Sequence, residues 1–526
     1  MARWFRVLLA CGLLLLLGQA AQAATRGGTM TYARYADSLF LDPVLNDANV
    51  DIWILTNLYD TLLQPSPDGK GVVPGLAADY QVSADGLTLT LKLRPGIKFS
   101  DGAPITPEDV KWSLDRARNP KNGIWNFTLV SLDSIETKGA DTVVLHLKHP
   151  DPTLAAALAT FNSAILPQKP FEASPGATDE EKAKVFAEHP IGSGPFMFES
   201  WQRGTELVIA RNPHYWQMGE DGKALPYLDK VRFPVIPDDA TRILKLQAGE
   251  VDGAEFIPYA RVGELRNDPN LDMILFPSTR VTLLGMNIRP TLKNGAKNVL
   301  ADVKVRQALN YAVDKSALIK IVTFDVGAPT VSFMSSATPM VLDNGPAYPY
   351  DVEKAKALLQ EAGIAPGTEL STIQLAGSAD ETAILSTIQQ MWGQVGIKLN
   401  IEQLDNATRT ARYRDADFQM RVSPWTDDIN DPSEITSYFA YYPLIQSLHG
   451  GFEDKRINEL FEKSQQEMDK EKRAGMYKEI QEIYMQAAPI IFLYQSGYPV
   501  ALRKNVKGFV QIPLGNNIFS GAYLEK

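Results

Sequence analysis

The stretch ILSTIQQMWGQVGIKLNI, Ile384 to Ile401, changes its hydrophobic period partway along. Ile384, Ile388, Met391 and Val395 fall at i, i+4, i+7 and i+11, with Leu385 and Trp392 beside them, so one face of a helix is apolar. Gly396 stops that helix. Ile397, Leu399 and Ile401 then alternate with Lys398 and Asn400, the period of a half-buried strand. A helix passing through a glycine into a strand is the unit of an α/β fold.

The surroundings repeat the unit. Asp351 caps a helix that ends at Ala362-Gly363, and Thr241 to Ala248 reads as a helix closed by Gly249, with a strand following near Val251-Asp252. A long helical stretch runs from about Lys455 to Ala488, where Pro489 stops it. Earlier in the chain strands dominate. Thr29 to Tyr32 is a first strand, opening into a loop at Leu41-Asp42-Pro43, and Asn57 to Leu63 reads as the end of a helix. Leu87, Leu89, Leu91 and Leu93 alternate with polar residues, as do Val143, Leu145 and Leu147. Between these strands Thr106-Pro107-Glu108-Asp109 starts a helix with a capping residue, proline at its first position and acids in its first turn.

The N-terminus reads as a leader. Arg3 and Arg6 precede an apolar run from Val7 to Gly18, and Ala21-Gln22-Ala23 offers an A-x-A cleavage site. The run is shorter than the roughly 20 residues a membrane span needs. The expectation is a signal peptide, 1–23, and a periplasmic mature chain from Ala24. Basic residues then fall from 52 to 50 against 62 acidic ones, moving the net charge from −10 to −12. That balance disfavours nucleic acid and stable insertion into an anionic membrane, which reward clustered Lys and Arg. Cys11, in the leader, is the only cysteine, so the mature chain has no disulfide and no thiol nucleophile. At roughly 150 residues per domain, about three domains are expected.

Catalytic patterns are missing from the sequence. Neither G-x-G-x-x-G nor G-x-x-x-x-G-K-[ST] occurs, H-E-x-x-H is absent, and Gly192-Ser193-Gly194 lacks the spacing of a hydrolase elbow. His146 and His149 are three apart on or beside a strand and so point to opposite faces, which disfavours a shared metal. The sequence predicts no enzyme, no cofactor and no metal. Arg421-Val422-Ser423-Pro424-Trp425-Thr426-Asp427-Asp428 is different. If it is a strand, Arg421, Ser423 and Trp425 share a face, and a cation, an aromatic and two acids gather at its end. Strand ends are where open α/β sheets place ligands. The competing reading is an edge strand with a packed Trp and solvated acids at a turn.

Several motifs stand in order along the chain: Leu41-Asp42-Pro43, the run from Asp85-Gly86-Leu87-Thr88 through Leu93-Arg94-Pro95-Gly96-Ile97-Lys98-Phe99 to Val110, Ile191-Gly192-Ser193-Gly194-Pro195-Phe196, Asn212-Pro213-His214-Tyr215-Trp216, and Val305 to Asp314. Together they resemble the bacterial extracellular solute-binding proteins of family 5, receptors of peptide and nickel importers. The resemblance implies an α/β, two-lobed periplasmic binding protein of the hinge-closing type II, with an extra β-rich domain on the first lobe. The first lobe would be 24–60, 191–284 and 491–526, the extra domain 61–190, and the second lobe 285–490. It implies a monomeric receptor that closes on peptides, from dipeptides to oligopeptides, and hands them to the permease subunits of an ABC importer. The alternative is the same fold with a non-peptide solute: chelated nickel, an opine-like conjugate or an oligosaccharide. Trp425-Thr426-Asp427-Asp428 matches the family's Trp-x-x-Asp, whose Asp pairs with a peptide ammonium, which points to Asp428 with Trp425 beside it. Asp427, Arg421, Tyr494, Gln495 and Tyr35 are further ligand-binding candidates. Arg421 stands four residues before the Trp, whereas some relatives carry an arginine three before.

Overall fold

The computed structural model describes residues 24–525 except 47, 124 and 344–346, so the expected leader and Cys11 lie outside the described residues. The period change at Gly396 becomes the helix Ala379–Gly393 followed by the strand Ile397–Leu404, and Trp392 is fully buried between them and the rest of the second half's core. Thr106 and Asp109 form a reciprocal capping box on the helix Pro107–Ala117. Gly249 closes the helix Asp239–Ala248 with a left-handed φ of 78°.

Some boundaries differ from the sequence expectation. The stretch from Lys455 to Ala488 is two helices, Lys455–Ser464 and Lys470–Ala487, because Asp469 caps a new start by accepting from Lys472 N. The helix expected to run to Leu63 is Asn49–Leu58, and Leu63 already belongs to a short strand. The strand after Gly249 is Gly253–Ala254, two residues later than expected.

Three sheets organise the chain. The first has seven strands in the order Leu271–Phe276, Tyr498–Arg503, Gly253–Ala254, Thr29–Ala33, Lys230–Pro234, Glu206–Arg211, Phe196–Gln202. The second has six: Ala328–Pro329, Ile490–Gln495, Val281–Met286, Met420–Trp425, Thr368–Leu375, Ile397–Leu404. A four-stranded antiparallel sheet, Ala77–Val82, Thr88–Leu93, Thr142–Leu147 and Leu132–Lys138, builds the β-rich domain. Its alternating leucines and valines bury one face with Val110 and Leu114. The architecture is the α/β, two-lobed one with an added β-rich domain.

The strands also shift the expected segment ends. Val281–Met286 and Ile490–Gln495 hydrogen-bond into the second sheet, so the chain changes sheets at 277–280 and 496–497 rather than at 284 and 491. Ala164, Leu166, Phe171 and Phe186 pack into the core under the first sheet, with Tyr32 and Phe233. The first four lie within the stretch expected to form the extra domain, whereas Ile165, between Ala164 and Leu166, packs into the β-rich domain's core.

The two crossings lie side by side. Phe276 faces Tyr498 on one side of them and Val281 faces Gln495 on the other. Ser496 N donates to Arg280 O (3.3 Å) and Tyr259 Oη to Ser496 Oγ (2.8 Å). A Cβ on Gly497 would stand 2.7 Å from Phe276 O, so the close approach of the crossings requires glycine there.

Candidate functional site

The segment that follows Met420–Trp425 is built around a buried acid. Asp427 is fully buried and both its oxygens are engaged: Thr338 Oγ1 donates to Oδ2 (2.8 Å) and Trp425 Nε1 to Oδ1 (3.0 Å). Its backbone N donates to Thr279 Oγ1 (3.0 Å), on the first crossing. This ties the strand end to the hinge and fixes the Trp425 indole, which also packs at 4.4 Å against Tyr438.

Asp428 is different in kind. It is half-buried, and its carboxylate has no hydrogen-bond or ion-pair partner among the described residues. Its backbone is held instead: Glu434 Oε2 accepts from Asp428 N (2.9 Å) and Ile429 N (2.8 Å). Loss of water pushes the Asp428 carboxyl up to about 7. Burial does the same to Asp427, also about 7, against the pull of its Thr338 and Trp425 bonds. Glu434, buried and facing both, is held well above the usual carboxylate range.

The next acid, Asp431, is neutralised from within. Arg473 makes a buried fork to it, with both N···O distances 2.7 Å. Asn430 Nδ2 donates to Gly71 O (2.5 Å), bringing the segment against the residues that lead into the β-rich domain. Three crowded carboxyls without a basic partner of their own favour a cation from outside.

A cavity of about 400 Å³ opens at the crossings. Tyr35, Phe256 and Tyr498 line it from the first lobe, Val322 and Phe324 from the second, and Arg280 from the first crossing. Tyr35 packs edge-on against Phe256 at 4.6 Å. Tyr498 lies within hydrogen-bonding reach of Thr426 and Ser278 and in the electrostatic range of both Arg280 and Asp428, so it joins the cavity to the acidic segment.

The sequence candidates therefore separate. Trp425, Asp427 and Asp428 are brought together, although Asp427 is fully buried with each oxygen already accepting a hydrogen bond. Tyr35 sits in the cavity. Arg421 does share the strand face of Trp425 but stands about 13 Å up the strand, and its guanidinium lies over the Tyr413 ring at 3.9 Å. Tyr494 is buried in the second lobe's core, which pushes its hydroxyl up to about 12. Gln495 is engaged by Ser336 N (2.6 Å) and Ser335 Oγ (3.1 Å). Sequence reasoning missed Glu434, Arg280 and Tyr498. Glu434 had a signal, an acid just after the Asp431-Pro432 helix start, but Arg280 and Tyr498 gather only through the crossings.

His146 lies 3.3 Å from Glu136, while His149 Nδ1 lies 3.0 Å from Pro150 O. Among the described residues, no three His, Cys, Asp or Glu are grouped as metal ligands, and no helix is long and apolar enough to cross a membrane.

Two large sheets connected by paired short crossings, over a cavity beside a carboxylate without a partner among the described residues, have the form of a hinged receptor for a solute. The chain belongs to the bacterial extracellular solute-binding proteins, family 5, whose middle region matches residues 71–443. It is 28% identical to the dipeptide-binding protein of Escherichia coli K12, covering 89% of each chain. It is 29% identical to the glutathione-binding protein GsiB of Salmonella typhi, covering 90% of each. The ABC transporter-associated periplasmic binding protein DppA from Helicobacter pylori, in complex with peptide STSA, superposes with a TM-score of 0.77 at 25% identity, covering 95% of this chain and 99% of that one.

Proposed function

We propose that this receptor captures peptides between its lobes in the periplasm, as a monomer, and delivers them to the permease of an ABC importer. The lobes are taken as 24–60, 164–276 and 498–525 for the first and 281–495 for the second, with the β-rich domain between. The observation that carries the reading is the contrast between adjacent acids. Asp427 is consumed in positioning Trp425, whereas Asp428 is left half-buried and unpartnered beside the cavity. A carboxylate in a water-poor cleft makes a short charge-assisted bond to an ammonium, and the Trp425 face offers apolar surface to the neighbouring side chain. The dipeptide-binding relative and the peptide complex support the same cargo.

The mechanism is closure about the two crossings. A ligand that touches both lobes favours the closed state because only that state makes both sets of contacts. No bond is made or broken, and no cofactor takes part. The test is calorimetry with one peptide in two forms, amino terminus free and acetylated, and glutathione as a third probe. The free form is expected to bind and the acetylated form to lose most of its affinity. Equal affinity for both forms removes Asp428 from the ammonium role.

A further inference from the structure

A second cavity, of about 260 Å³, lies where the β-rich domain meets the first lobe. It is remote from the crossings. Tyr35 and Phe256, which line the cavity there, follow the C-terminal ends of the strands Thr29–Ala33 and Gly253–Ala254. Pro195 and Tyr215 line the second cavity; one precedes Phe196 and the other follows Arg211. Phe196 and Arg211 pair at the opposite end of the sheet, where Ala210 faces Lys230 and Lys230 faces Thr29. The strand pair Val510–Gln511 and Asn517–Ile518 runs between the two cavities. Val510 and Ile512 line the second, and Gln511, between them, lines the first.

The walls of the second cavity are mostly apolar. Pro65 and Val73 come from the strand pair Leu63–Pro65 and Val72–Pro74, and Phe161, Ile512 and Ile518 close the other sides. No Lys, Arg or His lines it. The amide of Asn57 is already given to the carbonyls of Trp53 and Asn517, and the Tyr215 hydroxyl to Gln217 Oε1 (3.3 Å).

Asp60 is the one acid on the wall, and it is 3% exposed. Trp216 Nε1 donates to its Oδ2 (2.6 Å) and Gln64 Nε2 to its Oδ1 (2.9 Å). Each carboxylate oxygen carries two lone pairs, so both can accept again. No cation is ion-paired with Asp60 among the described residues. Arg94 acts on it only at range, with its guanidinium 4.1 Å over the Trp216 ring and its Nε donating to Gly75 O (2.7 Å). Burial therefore pushes the Asp60 carboxyl up to about 7 despite its two bonds. Thr56 Oγ1, on the same wall, is buried without a hydrogen-bond partner among the described residues.

An apolar cavity with a few convergent polar groups is the form of a small-molecule site, and this one falls just below the roughly 300–1,000 Å³ that drug-sized ligands occupy. A buried acid without an opposite charge favours a ligand that brings one. We propose that the cavity is a second binding site, taking a small molecule with an ammonium group on an apolar body. The ammonium lies against Asp60 and Thr56, and the body against Val73, Phe161 and Ile512. The assignment is independent of the peptide reading, since the two cavities share no lining residue.

The probes are benzylamine and its uncharged counterpart, benzyl alcohol. Each is titrated by calorimetry into the protein carrying Asp428→Asn, so that the acid beside the cleft does not compete for the ammonium. Benzylamine is expected to bind one site per chain, about tenfold tighter than benzyl alcohol, because a charge-assisted bond replaces a neutral one. Adding Asp60→Asn is expected to remove that preference and leave the alcohol bound. Adding Val73→Trp instead fills the cavity from a half-buried strand position without touching the acid's bonds. It is expected to abolish binding of both probes with the thermal midpoint retained, and it locates the site even where Asp60→Asn unfolds. No heat from benzylamine overturns the proposal, as do equal affinities for the two probes. Binding that survives Val73→Trp places the probe elsewhere and overturns it too.

Discussion

The carboxyl of Glu434 holds the backbone N–H of Asp428 at 2.9 Å, from the first turn of the helix Ser433–Phe439. The bond secures the main chain of the acidic segment while leaving the Asp428 side chain without a partner among the described residues. It also places a third carboxyl against Asp427 and Asp428, so the segment is electrostatically uncomfortable until a cation arrives. Rigidity and unmet charge come from the same contact.

Asp428→Asn should weaken a peptide with a free amino terminus by about 1.5–3 kcal/mol, the usual worth of a hydrogen bond to a charged group. That is roughly ten- to a hundredfold in affinity. The thermal midpoint should not fall, because the substitution removes a desolvated carboxyl and breaks no internal bond. Calorimetry and a melting curve on the same sample check both halves.

Proton release should accompany binding. The Asp428 carboxyl, raised to about 7 in the unliganded protein, must be ionised to hold an ammonium. Affinity is therefore expected to rise with pH through about 7 and to level off as the ligand's own amino group, near 7.7–8.0, begins to lose its proton. Calorimetry in buffers of different ionisation enthalpy reads the released protons, and Asp428→Asn should flatten the profile. For the unliganded fold the sign is opposite. A raised carboxyl contributes stability below its unfolded value near 3.8, and this is lost as pH climbs through about 7.

Arg473→Met should be costly even though Arg473 does not line the cavity at the crossings. It leaves Asp431 buried with its fork removed, and breaking a buried pair from one side costs about 3–5 kcal/mol. The double variant Arg473→Met with Asp431→Asn should recover a large part of the loss. Denaturant unfolding of the two singles and the double gives the coupling directly.

Gly497→Ala addresses the hinge. The added Cβ would meet Phe276 O at 2.7 Å, so the two crossings must move apart. A loss of about 1–3 kcal/mol in stability is expected, together with a changed balance of open and closed forms. Small-angle scattering with and without ligand should show a smaller change in radius of gyration than the wild type shows.

The sequence by itself determined the local elements and the class of fold. The change of period at Gly396, the Thr106 capping box and the alternating leucines of Thr88–Leu93 are each dictated by neighbours within a few residues, and each is present in the structure. That Trp425 and two acids cluster at a strand end was legible because the strand end and its acids are contiguous. Which of two adjacent acids is free was not legible: Asp427 is occupied by Thr338, some ninety positions away in the chain, and by an indole two residues back. Arg421 was expected to share the strand face of Trp425 and does so, but its guanidinium lies over the Tyr413 ring. Arg280, Gln511, Tyr498 and Tyr35 come from four distant stretches and meet because the chain crosses between the sheets twice. The tertiary structure alone decided that meeting, since burial and unmet hydrogen bonds depend on what lies across the cleft rather than on what lies next along the chain.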